Sequence, residues 1–285
     1  MSTGKTPSKT APTSFSFQPI GIVESPYKEK FGTPRQPGLV AESRGAIVLR
    51  DDLNVDAFDG LTDYSHVWVM FVFHENQAVR EGRPTVKTKV HPPRLEGKAV
   101  GVFATRSPHR PNPIGLSLLE IEKVEGRKLW VRGLDLIDGT PVLDLKPYLP
   151  SVEAVPQAHE GWSATVASKS VAVEWSPEAL ADLETAFATS EGGIGHSETS
   201  GAIEAARLAI EKILALDIRP VAYRGTLENP DPYTSRYGFR YEDWNVVFQM
   251  LAPSSPTTEG VSVTDPTLPK RARIERIEAW ATRLK

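Results

Sequence analysis

From residue 17 to about residue 148 the chain runs in short apolar or alternating stretches, at 17–23, 45–49, 67–73, 99–104, 116–124, 129–136 and 142–145. Gly, Pro and Asp residues part them. Runs of this length bounded by turn formers predict strands, each with one face toward a core. Brief connections such as Glu125-Gly126-Arg127 and Asp138-Gly139-Thr140-Pro141 suit antiparallel hairpins better than helical crossovers. The expectation is a closed or nearly closed antiparallel β-barrel, with helix confined to short turns such as 56–60.

After Trp162 the texture becomes helical. Ser176-Pro177-Glu178 sets a good N-cap ahead of a proline suited to the first helical position, and Leu180, Leu183 and Phe187 then share a face. A Gly- and Ser-rich break at 190–201 precedes a second helix striped by Ile203, Ile210, Ile213 and Leu214, with Pro220 past its end. Residues 237–250 read as strand and 253–270 as a Pro-, Ser- and Thr-rich linker. The terminal RARIERIEAWATRLK reads as a short helix, because Ile274, Ile277 and Trp280 recur at helical spacing. The predicted organisation is mainly β with an α+β C-terminal part: a disordered tail (1–14), a barrel (15–160), a small helix-and-hairpin domain (161–252), and a linker with a short terminal helix (253–285).

Composition narrows the chemistry. The 285 residues are 40% hydrophobic, enough for one substantial core and a smaller second one. There is no cysteine, which excludes disulfides, thiolate zinc sites and a cysteine nucleophile, and suits a cytoplasmic setting. The longest apolar run, 67–73, is far short of the roughly 20 residues a membrane helix needs, and the first fourteen residues lack the apolar stretch of a secretory signal.

The formal net charge of −3 argues at first against a polyanionic partner. Its distribution argues for one. Lys87, Lys89, Arg94, Lys98, Arg106 and Arg110, with His91 and His109, face only Glu96 between residues 87 and 110. Screening confines each charge to about 8 Å at physiological salt, so a local strip can bind a polyanion within a neutral chain.

Part of this strip lies in residues 101–117, GVFATRSPHRPNPIGLS. A strand enters, and three prolines then stiffen a loop carrying Arg106, Ser107, His109, Arg110 and Asn112. Rigid loops lower the ordering entropy of groups that hold an anionic or polar ligand. A stiff connection with solvated charges is the competing reading.

Together with three further segments the loop resembles the TsaA-like (TrmO) family. They are residues 32–39 (GTPRQPGL), the apolar strand ending in Phe73-His74, and residues 135–148 (DLIDGTPVLDLKPY). The resemblance spans residues 17–150 closely and extends more loosely to about Gln249. It implies a single-sheeted barrel that binds S-adenosylmethionine; no G-x-G-x-x-G follows a strand, in keeping with a fold other than the doubly wound one. Cofactor contacts would fall on Pro34, Arg35, Gln36, His74, Arg106, Leu136, Asp138, Gly139, Thr140 and Pro141. Arg106 could pair a carboxylate bidentately, Asp138-Gly139 could be an ordinary tight turn, and His74 could be a core or capping histidine.

The family also implies methylation of N6 of threonylcarbamoyl-adenosine in a tRNA anticodon loop by a homodimer, without a metal. Asp144, Lys146 and Tyr148 alternate along an extended segment and so share a face, either as an ion pair beside a packed tyrosine or as groups that orient substrate and move a proton. Asp144, Tyr148 and Asp231 are the candidate bases. Lys146, Arg110 and Asn112 are candidate substrate contacts. Residues 229–233 (NPDPY) and 237–246 resemble the family's D-P-R-x-x-Y region, with Tyr233 where the family has arginine. Tyr233, Arg236, Tyr237 and Arg240 belong to an Arg and Tyr cluster of the kind that stacks bases and holds phosphates; an aromatic hairpin core is the alternative. The alternative readings are a different acceptor, which the diverged segment 231–237 would reflect, and a non-catalytic module binding cofactor or RNA.

Overall fold

The computed structural model describes residues 15–82, 87–92, 95, 97–165, 170–189, 199–219, 235–251 and 270–280. The N-terminal part opens with β1 (Gly21–Glu24), β2 (Arg44–Leu49) and β3 (His66–Val72). The short helix α1 (Gln77–Arg80) follows, then a two-stranded ribbon of β4 (Lys89–Val90) and β5 (Val100–Gly101). Next come β6 (Ile114–Glu125), β7 (Lys128–Arg132) and β8 (Pro141–Pro147), and the one-turn helix α2 (Pro150–Glu153). Six strands close on themselves in the order β1-β2-β7-β6-β3-β8, every neighbouring pair antiparallel.

Alternation decides what fills the ring. Val67, Val69 and Phe71 on β3 are buried, and Ile47, Leu119, Leu129 and Val131 from β2, β6 and β7 join the same core. Gly115 makes room for Phe71: a Cβ there would come within 2.1 Å of the Phe71 ring. The turn at 125–127 forms the expected β6–β7 hairpin. The expected hairpin at 138–141 does not form, because β7 pairs with β2 and β6 whereas β8 pairs with β1 and β3. The β7–β8 segment instead connects strands that are not neighbours, and buries Leu134 and Leu136 in the barrel core. Residues 99–104 are strand only at β5, and then tighten into a 3-10 turn at Val102–Ala104.

The C-terminal part contains β9 (Val171–Trp175), α3 (Pro177–Thr189), α4 (Thr199–Ala215), β10 (Arg236–Tyr241), β11 (Trp244–Leu251) and β12 (Lys270–Ala279). Ser176 caps α3 as expected, its Oγ accepting from Ala179 N at 3.0 Å. Leu183 and Phe187 are buried, but Leu180 is 39% exposed and Ala179 takes the inward place. The 237–250 segment is a β10–β11 hairpin, turning at Glu242 with φ +51°.

The terminal stretch is strand, not helix. It joins the sheet in the order β10-β11-β12-β9, with β12 and β9 parallel. A bulge opposite Val247 and Phe248 inserts Glu275 and stretches the spacing from buried Ile274 to buried Ile277 to three, which imitates a helical period. Where β9 ends, α3 covers the free edge of β12: Ser176 N donates to Ile274 O at 2.9 Å and Ile277 N to the Asp182 carboxylate at 3.1 Å.

The two parts are stitched together through the β1–β2 connection. Tyr27 and Val40 lie in the same core as Phe239, Tyr241 and Ile210. Glu242 N donates to Pro26 O at 2.7 Å, and Arg240 N to the Glu29 carboxylate at 3.1 Å. Gly32, at φ +95°, packs so closely on Phe239 that a Cβ would lie 2.6 Å from its ring.

Candidate functional site

In an antiparallel ring alternate strands end at the same rim. Here β1, β3 and β7 end where β2, β6 and β8 begin, so the β1–β2, β3–β6 and β7–β8 connections all leave one rim. Those connections carry the resembling segments 32–39, 73–74, 101–113 and 135–140. Fold closure thus brings together residues separated by about a hundred positions.

Specific contacts knit the three connections. Arg106 Nη1 donates to Gln36 Oε1 at 2.8 Å. Asn76, buried just after β3, donates its amide to Pro108 O, and Phe73 N donates to Pro113 O at 2.8 Å, which hold the proline loop against the end of β3. Gly38 N donates to Gly133 O at 2.9 Å and Asp138 N to Tyr27 O at 2.7 Å, which fix the β1–β2 loop beside the β7–β8 crossing. Lys30 reaches the carbonyl of Glu75.

The expected cofactor residues divide by how they can act. Pro34 is buried and Arg35 exposed; Gln36 is half-buried and holds Arg106. Arg106 itself is exposed. Leu136 is a core side chain, leaving its backbone to meet a ligand. The Asp138 carboxylate accepts from Ser25 N at 2.9 Å and pairs with Lys28 at 2.9 Å, so it secures the loop, while Gly139 turns at φ +73°. Thr140 is buried with its hydroxyl on Ile137 O, and Pro141 begins β8. His74 is half-buried, 3.8 Å from the Glu75 carboxylate.

The candidate bases and substrate contacts within the described residues fall in three places. Arg110 Nη1 donates to Thr105 O at 2.7 Å and its guanidinium lies 5.9 Å from the Phe103 ring centroid; Asn112 is exposed on the same loop. Asp144 and Lys146 form an ion pair at 2.9 Å on the outside of β8, and Tyr148 packs edge-on against His66 and Trp68. On the second sheet Arg236 pairs with Glu275 at 2.7 Å, Arg240 pairs with Asp243 at 2.9 Å and lies over Trp280, and Tyr237 stacks on Phe248. Asp231 and Tyr233, with Arg94, lie outside the described residues.

One group escaped the sequence reading. Asp135, between the core residues Leu134 and Leu136, accepts from the Ser117 hydroxyl at 2.7 Å. Burial pushes its carboxyl up to about 6, against the lowering effects of the Ser117 bond and the Arg106 charge. Burial, with Asp135 and Glu42 nearby, also pushes the Tyr27 phenol well up. A signal existed: Ser117 is a polar residue at an inward position of β6, between Gly115 and Leu119, and an inward hydroxyl needs a partner. Among the described residues no group of three or more His, Cys, Asp or Glu is placed to hold a metal ion. Nor, among the described residues, is any helix long and apolar enough to cross a membrane.

The fold is shared with a solved neighbour. The crystal structure of TrmO from Pseudomonas aeruginosa superposes with a TM-score of 0.65 at 31% identity, covering 94% of this chain and 100% of that one. A family model described as the tRNA-methyltransferase O N-terminal domain matches residues 22–154. The tRNA (adenine(37)-N6)-methyltransferase of Escherichia coli K12 is 44% identical over 229 residues, covering 78% of this chain and 88% of that protein. A putative S-adenosylmethionine-dependent methyltransferase, RcsF, of Pseudomonas aeruginosa PAO1 is 41% identical over 240 residues, covering 84% and 94%. The chain belongs to the TrmO family.

Proposed function

We propose that this protein transfers a methyl group from S-adenosylmethionine to N6 of threonylcarbamoyl-adenosine at position 37 of tRNA, in the cytoplasm and as a homodimer. The observation that carries the reading is the meeting of the three loop connections at one rim, with Arg106 held by Gln36. The donor set suits S-adenosylmethionine: an exposed guanidinium for a carboxylate, backbone groups around Pro34 and Leu136 for an adenine, and the Asp135 carboxylate as negative charge for a sulfonium. S-adenosylmethionine bound there supplies an activated methyl group.

The chain's own task is placement, bringing the acceptor nitrogen to about 3–3.5 Å from that methyl carbon. As the N–CH₃ bond forms and the S–CH₃ bond breaks, the N6 proton must leave. The nitrogen is delocalised into both ring and ureido carbonyl, so a nearby base accelerates the step. Asp144, Tyr148 and Asp231 are our candidates for it, with Lys146 or Arg110 meeting the threonyl carboxylate. We assign residues 15–160 to cofactor binding and 161–252 to substrate.

The homodimer reading is supported by the outer face of the barrel, where Ile114 and Leu116 on β6 are exposed beside Met70 and Val72 on β3, with Leu149, Val152 and Val155 also exposed. Label transfer from S-adenosylmethionine tests the function: tRNAs that read ANN codons should gain methyl groups and other tRNAs should not. Uniform labelling, or none, would count against the substrate.

A further inference from the structure

The most exposed large apolar side chain among the described residues is Phe103, at 79% of its full surface. It sits in the Val102–Ala104 turn, at the start of the proline loop and inside the basic strip. Exposure here does not come from a loose segment. Val102 N donates to Thr88 O at 3.0 Å, Thr105 N to Val102 O at 3.2 Å, and the Trp162 indole to Ala104 O at 2.8 Å. The turn is pinned on both sides, and the phenyl group is held outward.

Its surroundings are cationic and ordered. Arg110 lies 5.9 Å from the ring centroid with its guanidinium fixed by Thr105 O, and Lys89 lies opposite Gly101 across the β4–β5 ribbon. Lys87 and Lys89 flank Thr88, whose carbonyl accepts from Val102 N and so ties them to this turn. An outward aromatic beside a fixed guanidinium, with basic neighbours in sequence, is the arrangement that stacks an unpaired base while neighbouring charges hold its phosphates.

We propose that Phe103, backed by Arg110, is a stacking platform for one unpaired base of the tRNA anticodon loop, flanking the base that is methylated. The inference rests on the proposed function and adds to it a residue that sets RNA affinity without touching the cofactor. The occupant is an RNA base, because Arg110 lies over the ring and the turn is bonded to Thr88, which Lys87 and Lys89 flank.

The test compares Phe103→Ala, Phe103→Leu and Phe103→Trp in the full-length protein. Binding of a fluorescent anticodon stem-loop is read by anisotropy, S-adenosylmethionine binding by calorimetry, and size by sedimentation. Phe103→Ala should weaken stem-loop binding roughly tenfold, Phe103→Leu should not restore it, and Phe103→Trp should, all with unchanged cofactor affinity and size. Wild-type binding in Phe103→Ala, full rescue by leucine, a wild type that does not bind the stem-loop, or a Phe103→Ala protein that dissociates where the wild type is dimeric would each overturn the proposal. The last outcome would mean that a second copy covers the ring. If the wild type binds the stem-loop but transfers no methyl to modified tRNA, while Phe103→Ala still weakens that binding and Phe103→Trp restores it, the proposed function fails and the platform stands. If it methylates normally and Phe103→Ala binds normally, only the platform fails.

Discussion

Asp135→Asn should make the protein more stable and less active. The folded protein holds the Asp135 proton up to about pH 6, whereas an unfolded aspartate releases it near pH 3.8. A carboxyl raised in this way costs folding energy when ionised. The penalty is absent below about pH 4, grows between 4 and 6, and is complete above 6. At roughly 1.4 kcal/mol for each tenfold change it amounts to about 3 kcal/mol at most. Asparagine keeps an oxygen to accept the Ser117 hydroxyl and removes the charge.

The partners that moderate the penalty are Ser117 and Arg106, and the buried neighbour on the opposite loop is Tyr27. Urea unfolding at a series of pH values reads the effect directly. At pH 8 the variant should exceed the wild type by up to about 3 kcal/mol, or roughly 6 °C in melting temperature for a chain of this size. At pH 4 the difference should vanish. Cofactor affinity at pH 8 should fall, since negative charge has left the site. A variant whose stability tracks the wild type at both pH values would refute the argument that Asp135 is enclosed and strained by its charge.

Arg106→Ala should weaken S-adenosylmethionine binding at least tenfold by calorimetry, because its exposed guanidinium is the cation held at the rim by Gln36. Gly115→Ala should destabilise by about 1–3 kcal/mol in urea, since the new methyl meets the Phe71 ring inside a packed barrel. Ser176→Ala should cost about 1 kcal/mol by removing the α3 cap, with little effect on cofactor affinity.

Local pattern made the barrel strands legible because alternation and turn residues are local properties. Pairing partners are not. The segment 138–141 has the residues of a hairpin turn, yet it completes a connection between strands that are not neighbours, and nothing within four residues tells a hairpin from such a connection. The bulge at Glu275 disguised β12 for a related reason: one inserted residue converts a spacing of two into three. At the site, the four resembling segments lie far apart in the sequence, and the fold brings them together, since all emerge at one rim. Asp135 stayed hidden because its partner Ser117 is eighteen residues away on a strand that reads as ordinary core.

The assignment of substrate is tested most directly by two anticodon transcripts of identical sequence, one carrying threonylcarbamoyl-adenosine at position 37 and one carrying plain adenosine. Each is incubated with the protein and S-adenosylmethionine, digested, and read by nucleoside mass spectrometry. The account predicts a gain of one methyl on the modified nucleoside of the first transcript and none on the second. Methylation of the plain transcript, or no methyl gain on the modified one, would contradict it.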